Sequence, residues 1–334
     1  WSGRRRCACS SCPKTWATCC CWRPRAMLVL VVMPLVALLT GVAAHLLLGL
    51  PIALAALLGA CLCPTDPIVA SDVVSGGPAA RDLPAKTRQV LTEESGANDG
   101  LALPLVLLAL APVLGKAAGG EAVTATYQVL VGAIVGALLG YVTARVVRSV
   151  EAHKDIGPPS DLVVTLVLAI TVLGAARVLK SDGVLAVFVA GLAYNARGRQ
   201  RRARAAGDAR RRRQPLPRRP VHVLLGAVLP WDDWADLGWA GPGFALAVLA
   251  VRRPPPVLAL ARLLGLRLRD AVFVGWFGPI GVSAVFYLAL SADEGATDPR
   301  LFAAGTLAVA ASTLAHGVTA LPARRAYARR AASP

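Results

Sequence analysis

Carboxylates set inside long apolar runs constrain this chain more than any other feature. Around residues 64–105 it reads CPTDPIVASDVV, a short basic loop, and then LTEESGANDGLALPLVLLAL. Asp66 stands between Thr65 and Pro67 in the first run, and Glu94, Asn98 and Asp99 stand in the second. Charges at bilayer depth are costly and mark functional sites. Pro67 removes a backbone donor and crowds the preceding turn, so the first run is expected to break beside Asp66. A broken membrane helix is tolerated where it lines a cavity.

The surrounding sequence sets the compartment. Of 334 residues, 56% are hydrophobic, and apolar runs near the length of a membrane span recur, which marks a polytopic helical membrane protein. Ten segments are expected, near residues 27–48, 52–74, 89–114, 122–147, 161–179, 184–196, 220–237, 241–264, 270–291 and 300–322. If they alternate, one side of the membrane holds 30 of the 36 Lys and Arg, including eleven Arg between Arg197 and Arg219. The opposite side holds the acidic loops WDDWAD and SADEGATD. So lopsided a split puts both termini in the cytoplasm and leaves Trp231, Trp234 and Trp239 at the outer interface. It also accounts for the net charge of +17 without nucleic acid, for which no aromatic-interleaved or helix-turn-helix context exists. The Arg-rich run reads as a solvated linker.

Six of the eight cysteines fall in the first 21 residues. They lack paired CxxC spacing or a downstream His pair, so no zinc site is expected, and residues 1–25 read as a disordered or mistranslated stretch. Cys61 and Cys63 read as packing residues, as do His45 and His316. The run VGAIVGALLG reads as a close helix–helix contact.

The pattern repeats with inverted orientation. A plain helix, a helix broken at TDP and a third helix fill residues 26–114. A plain helix, a helix broken at Gly278-Pro279-Ile280-Gly281 and a final helix fill 241–323. Linking and interface helices occupy 115–196, the Arg-rich loop 197–219, a further interface helix 220–240 and a basic tail 324–334. Such a repeat is the sequence mark of a secondary transporter with its site between the breaks. Asp99 lies about ten residues into its segment, roughly 15 Å deep and so near mid-membrane. Asp66, Asp99 and Ser95 offer side-chain oxygens, and the break at Thr65 is expected to free carbonyls, a donor set that suits a hard cation. Desolvation favours the neutral form of a carboxylate, so one group can hold a proton or a cation in turn. Arg252 and Arg253 are the only deep cations, so one of them is expected to pair with Glu94. No cofactor is expected beyond the transported ions.

TDPIVASDVV followed by ESGANDGLALP, with GWFGPIGVSAVFY and AHGVTALP further on, resembles the cation:proton antiporters of the NhaP and fungal plasma-membrane type. The resemblance runs from Trp22 to about Ala328. It implies an all-α inverted-repeat fold in which two broken helices cross, and exchange of Na+, K+ or Li+ for H+ at a cell membrane. It implies that Asp99 carries the exchanged ion, that Asp66, Thr65 and Ser95 line the site, and that Glu94 pairs with Asn98 and an arginine. An Asn-Asp pair goes with electroneutral exchange in that family. Ile280 stands where many bacterial relatives carry Arg, which points Glu94 to Arg252 or Arg253. The first segment also lacks an acidic residue that some relatives place there. Two helices that usually precede the first segment, and help form a homodimer, are replaced here by the cysteine-rich stretch. Two other functions fit parts of the pattern: a non-transporting remnant of the family, and an intramembrane aspartyl protease using Asp66 and Asp99, whose YD and GxGD contexts are absent.

Overall fold

Proline and glycine punctuate the apolar runs, and the helices start and stop at them. The computed structural model describes residues 27–66, 70, 79, 81–116, 118–152, 161–205, 226, 227 and 229–332. Within these, α1 (Leu28–Leu48) opens on a π-helical turn. It ends at Gly49, whose φ of 62° suits a residue without Cβ. Pro51 then starts α2 (Ile52–Cys61). The two helices pack as a hairpin so close that a Cβ on Gly59 would lie 2.2 Å from the Ala37 carbonyl oxygen.

After α2 come α3 (Ala85–Val113), α4 (Ala118–Ala152), α5 (Asp161–Val178) and α6 (Gly183–Ala205). A short α7 (Trp231–Asp236) precedes α8 (Ala240–Val251) and α9 (Pro254–Ala259). The chain closes with α10 (Leu268–Trp276), α11 (Val282–Asp293) and α12 (Pro299–Ala332). Among the described residues, four helices are long and apolar enough to cross a membrane, those within α1, α3, α4 and α12, and α2, α5, α6 and α11 carry shorter apolar stretches. The chain is a multi-pass membrane protein, and its exposed apolar side chains, among them Leu130, Ile134, Leu138, Val163 and Ile170, form the surface such a protein offers to lipid.

Two packed groups result. The larger core joins α1, α2 and α3 to α8 through α12 around Leu57, Leu91, Phe244, Phe277 and Tyr287. The smaller unites α4, α5 and α6 through Leu139, Val172, Ala176, Ala186 and Ala190. Here VGAIVGALLG does the packing: a Cβ on Gly132, Gly136 or Gly140 would lie 2.7, 2.1 or 2.3 Å from the carbonyl oxygens of Asp182, Ala186 and Ala190. The groups meet where Gly96 and Gly100 of α3 abut Phe188 and Leu185 of α6.

Three expectations change. The segment expected at 241–264 is not one helix: α8 stops at Val251 and α9 starts at Pro254, because three successive prolines cannot donate into a continuing helix. WDDWAD is a short helix, α7, rather than a loop. The first break opens at Leu62, earlier than Asp66, because Pro64 has no N–H to give the preceding turn. Pro67, the cysteine-rich stretch and residues 206–219 of the Arg-rich run lie outside the described residues.

Candidate ion site

The two interruptions cross at backbone level. The Asp66 amide donates to the Pro279 carbonyl at 2.8 Å. The Asp66 carboxylate in turn accepts from the amide of Val282 at 3.0 Å, at the start of α11, where free N–H groups and the helix dipole favour a negative charge. Gly281 permits this approach: a Cβ there would lie 1.7 Å from Asp66 Oδ2.

Asp99 reaches the same place from α3. Its carboxylate is buried, and Oδ1 has no hydrogen-bond partner among the described residues. Its backbone carbonyl accepts from the Tyr287 hydroxyl. Asp66 and Asp99 share a cavity of ≈ 250 Å³ with Val184, Val282, Ser283, Phe286 and Tyr287. Ser283 Oγ is also buried with no partner among the described residues. Two carboxylates and a hydroxyl thus converge on a small chamber that is otherwise mostly apolar.

Behind the chamber lies a tied layer. Asn98 donates through Nδ2 to Thr65 Oγ1 at 2.7 Å, and its Oδ1 accepts from the Thr65 amide at 3.3 Å. Thr65 Oγ1 donates weakly to Ser95 Oγ at 3.5 Å, and Ser95 donates to the Leu91 carbonyl at 2.7 Å. Asn98 thereby fixes the end of the broken segment to α3.

The two arginines have separate tasks. Arg253 grips Glu94 in a fork, Nη1 to Oε1 at 2.6 Å and Nη2 to Oε2 at 2.7 Å. Its Nε donates to the Val274 carbonyl at 3.1 Å. Gly278 makes room, since a Cβ there would lie 2.0 Å from Arg253 Cδ. Arg252 reaches the carbonyls of Leu62, of Pro64 at 3.4 Å and of Gly278 at 2.6 Å. Two of the carbonyls at the first break, those of Leu62 and Pro64, are therefore held by Arg252.

The second break has its own brace. Ser312 Oγ accepts from the Ile280 amide at 2.8 Å and lies 3.1 Å from His316 Nδ1, while His316 Nε2 bonds the Trp276 carbonyl at 2.8 Å. His45 bonds the Leu50 carbonyl at 2.8 Å, and Cys61 lies 3.6 Å from the Ser291 hydroxyl.

Sequence reasoning missed Ser283 and Tyr287, which look like ordinary positions on an apolar helix; only their place just after the GPIG break hinted at the cavity. It also missed Asp182, a buried acid whose Oδ1 caps α6 by accepting from the Leu185 amide at 2.9 Å. Its SDG context before an apolar run was a legible helix start.

Comparison with known proteins decides the family. The family model described as "Sodium/hydrogen exchanger, transmembrane" matches residues 21–324. The chain belongs to the sodium/hydrogen exchanger family. That family is one of transporters and not of enzymes, so the protease alternative falls. Na(+)/H(+) antiporter 2 of Zygosaccharomyces rouxii is 36% identical over 251 residues, covering 71% of this chain and 31% of the relative. The Na(+)/H(+) antiporter of Saccharomyces cerevisiae is 33% identical over 287 residues, covering 82% of this chain and 29% of the relative. The chain thus spans about a third of the length of these fungal exchangers. The solved sodium proton antiporter of Methanocaldococcus jannaschii superposes with a TM-score of 0.67 at 18% identity, over 94% of this chain and 80% of that one. The all-α antiporter fold is shared with it.

Proposed function

We propose that this exchanger-family chain swaps a monovalent cation, Na+ or K+, for H+ across a plasma membrane, electroneutrally and by alternating access. The observation that carries this reading is Asp99: a buried carboxylate with a free oxygen in a chamber beside the crossing of two interrupted helices. Such a group is costly to leave charged and bare. A proton removes the charge, and a cation offsets it. Both loaded forms carry the same charge, so both can change sides, while the empty form resists transfer.

In the cation-loaded form Asp99 supplies the principal ligand. Asp66 and Ser283 face the same chamber, and Thr65 and Ser95 add hydroxyl oxygens when the long 3.5 Å contact between them opens. Glu94 and Asn98 hold the frame. Li+ shares the chemistry of the smaller cation. The Lys and Arg distribution supports a topology with both termini in the cytoplasm. The fungal relatives are named as Na(+)/H(+) antiporters, which supports Na+ as cargo. A homodimer is the assembly the resemblance favours.

The test is reconstitution of the chain into liposomes carrying an interior pH dye and an outward proton gradient. Addition of Na+ or K+ outside should shift the lumen pH in a saturable, protein-dependent way. A lumen pH indifferent to Na+, K+ and Li+ in vesicles shown to hold folded protein would leave the family remnant as the reading.

A further inference from the structure

The ion chamber lies to one side of the crossing. Val282, Ser283, Phe286 and Tyr287 all belong to α11, which runs from the crossing toward the outer surface in the topology proposed above. Val184 belongs to the first turn of α6, at that helix's outer end. Val184 is 36% and Phe286 51% exposed, so the chamber reaches the surface of the protein on this side.

Toward the cytoplasm a ring stands in the way. The helices α3 and α6 run antiparallel: Leu185 lies against Gly100, and one turn further in Phe188 lies against Gly96. The seat is tight, since a Cβ on Gly96 would come 2.5 Å from Phe188 Cε2 and 2.8 Å from Cδ2. Gly96 is three residues from Asp99, about 4.5 Å along the helix. Exposure changes across this layer. Asp99 is buried, Gly96 and Ala97 are half-buried, and Thr92, a turn beyond, is exposed. An apolar ring pressed on bare backbone excludes water from the gap, and hydrophobic constrictions gate by such dewetting.

We propose that Phe188, seated in the notch at Gly96, is the cytoplasmic seal of the ion chamber, a positioning residue that keeps Asp99 reachable from one side of the membrane at a time. The inference rests on the exchange reading given above and on its topology. Coupled exchange requires Asp99 to be loaded and unloaded on opposite sides without being open to both at once. With the ring in the notch Asp99 meets the outer side, and the ring must leave Gly96 before Asp99 meets the cytoplasm. With the ring absent, Asp99 can take a proton from one side and release it to the other while no cation returns. The chain then leaks protons as well as exchanging them.

Phe188→Ala empties the notch, Phe188→Leu keeps an apolar filling, and Gly96→Leu combined with Phe188→Ala returns the bulk from the α3 side. Leu130→Ala, on the exposed face of α4, is the control. Each is placed in liposomes free of Na+, K+ and Li+ that hold an interior pH dye, and an inward thiocyanate gradient makes the lumen negative. Folded Phe188→Ala should acidify the lumen at least about tenfold faster than the unaltered chain, the effect of about 1.4 kcal/mol off the barrier. The unaltered chain, Phe188→Leu, Leu130→Ala and the swapped double variant should all hold the lumen pH as protein-free liposomes do. If Phe188→Ala does not fold, Phe188→Val is read in its place. A folded variant with the notch emptied that is as tight as the unaltered chain overturns the proposal. So does a swapped variant that leaks as fast as Phe188→Ala, or a leak that Leu130→Ala shares. Na+ added afterwards reads exchange in the same vesicles, so failure of the exchange reading shows separately, as an unaltered chain that ignores Na+.

Discussion

Arg253 and Glu94 face one another as a two-pronged ion pair, 2.6 and 2.7 Å across the two prongs, with 5% and 3% of their side chains exposed. The pair ties α3 of the first repeat to the α8–α9 junction of the second. Breaking a buried pair from one side strands the other charge, at a cost of about 3–5 kcal/mol. Glu94→Ala and Arg253→Ala should each lower the unfolding temperature in detergent and the yield of folded protein, and the double variant should recover part of the loss. In a double-mutant cycle Glu94 should couple more strongly to Arg253 than to Arg252. Equal coupling to both arginines would contradict the division of labour seen here.

Gly281 and Asp66 are in direct contact, and the contact depends on hydrogen in place of a methyl group. A Cβ at Gly281 would lie 1.7 Å from the Asp66 carboxylate, so Gly281→Ala must push Asp66 off the Val282 amide or spread the crossing. Exchange by Gly281→Ala should fall at least about tenfold, the effect of some 1.4 kcal/mol on the transport barrier. Gly243→Ala is the control, because nothing lies within 4 Å of its added Cβ. Initial rates matched for folded protein decide it; a Gly281→Ala rate equal to the control's would show that the crossing can relax.

Asn98 is neutral for a reason visible in its bonding. Its Nδ2 donates to Thr65 Oγ1 at 2.7 Å, which an ionised aspartate cannot do. Asn98→Asp should therefore destabilise the protein by about 1–3 kcal/mol, the cost of a lost partner in a buried position. Acid should rescue it: a protonated carboxyl regains a donor. Thermal melts of Asn98→Asp and the unaltered chain across a pH series should converge as pH falls. Parallel melts would mean that Thr65 is not the partner that counts.

Much of this arrangement was legible in the sequence because membrane residues advertise their cost. Deep carboxylates, deep arginines and the TDP and GPIG interruptions each violate the apolar rule, and the structure brings Asp66, Asp99, Glu94, Arg252 and Arg253 to one crossing. Partner choice was not legible. Arg252 and Arg253 are adjacent, so periodicity alone cannot say which faces Glu94. The answer depends on the turn between α8 and α9, where Arg253 is the N-cap of the new helix. Nor could sequence show that Arg252 satisfies the freed carbonyls, since that depends on two interrupted segments, joined by the Val282–Asp66 contact across 216 residues of chain, meeting end to end. Ser283 was invisible for the opposite reason: a serine costs little in a helix, and only the cavity beside it gives it meaning.

The central claim is that Asp99 carries the exchanged ion, and one measurement addresses it most directly. Asp99→Asn keeps the size and polarity of the side chain and removes its ability to lose a proton. Tyr287 bonds the Asp99 backbone carbonyl, an interaction the substitution leaves in place, so folding should persist and be verifiable by thermal melt. Na+-driven recovery of a pH gradient is then compared in liposomes holding equal amounts of the folded unaltered chain and Asp99→Asn. The account predicts recovery with the first and, with Asp99→Asn, a trace no faster than protein-free liposomes; exchange by Asp99→Asn at the unaltered rate would contradict it.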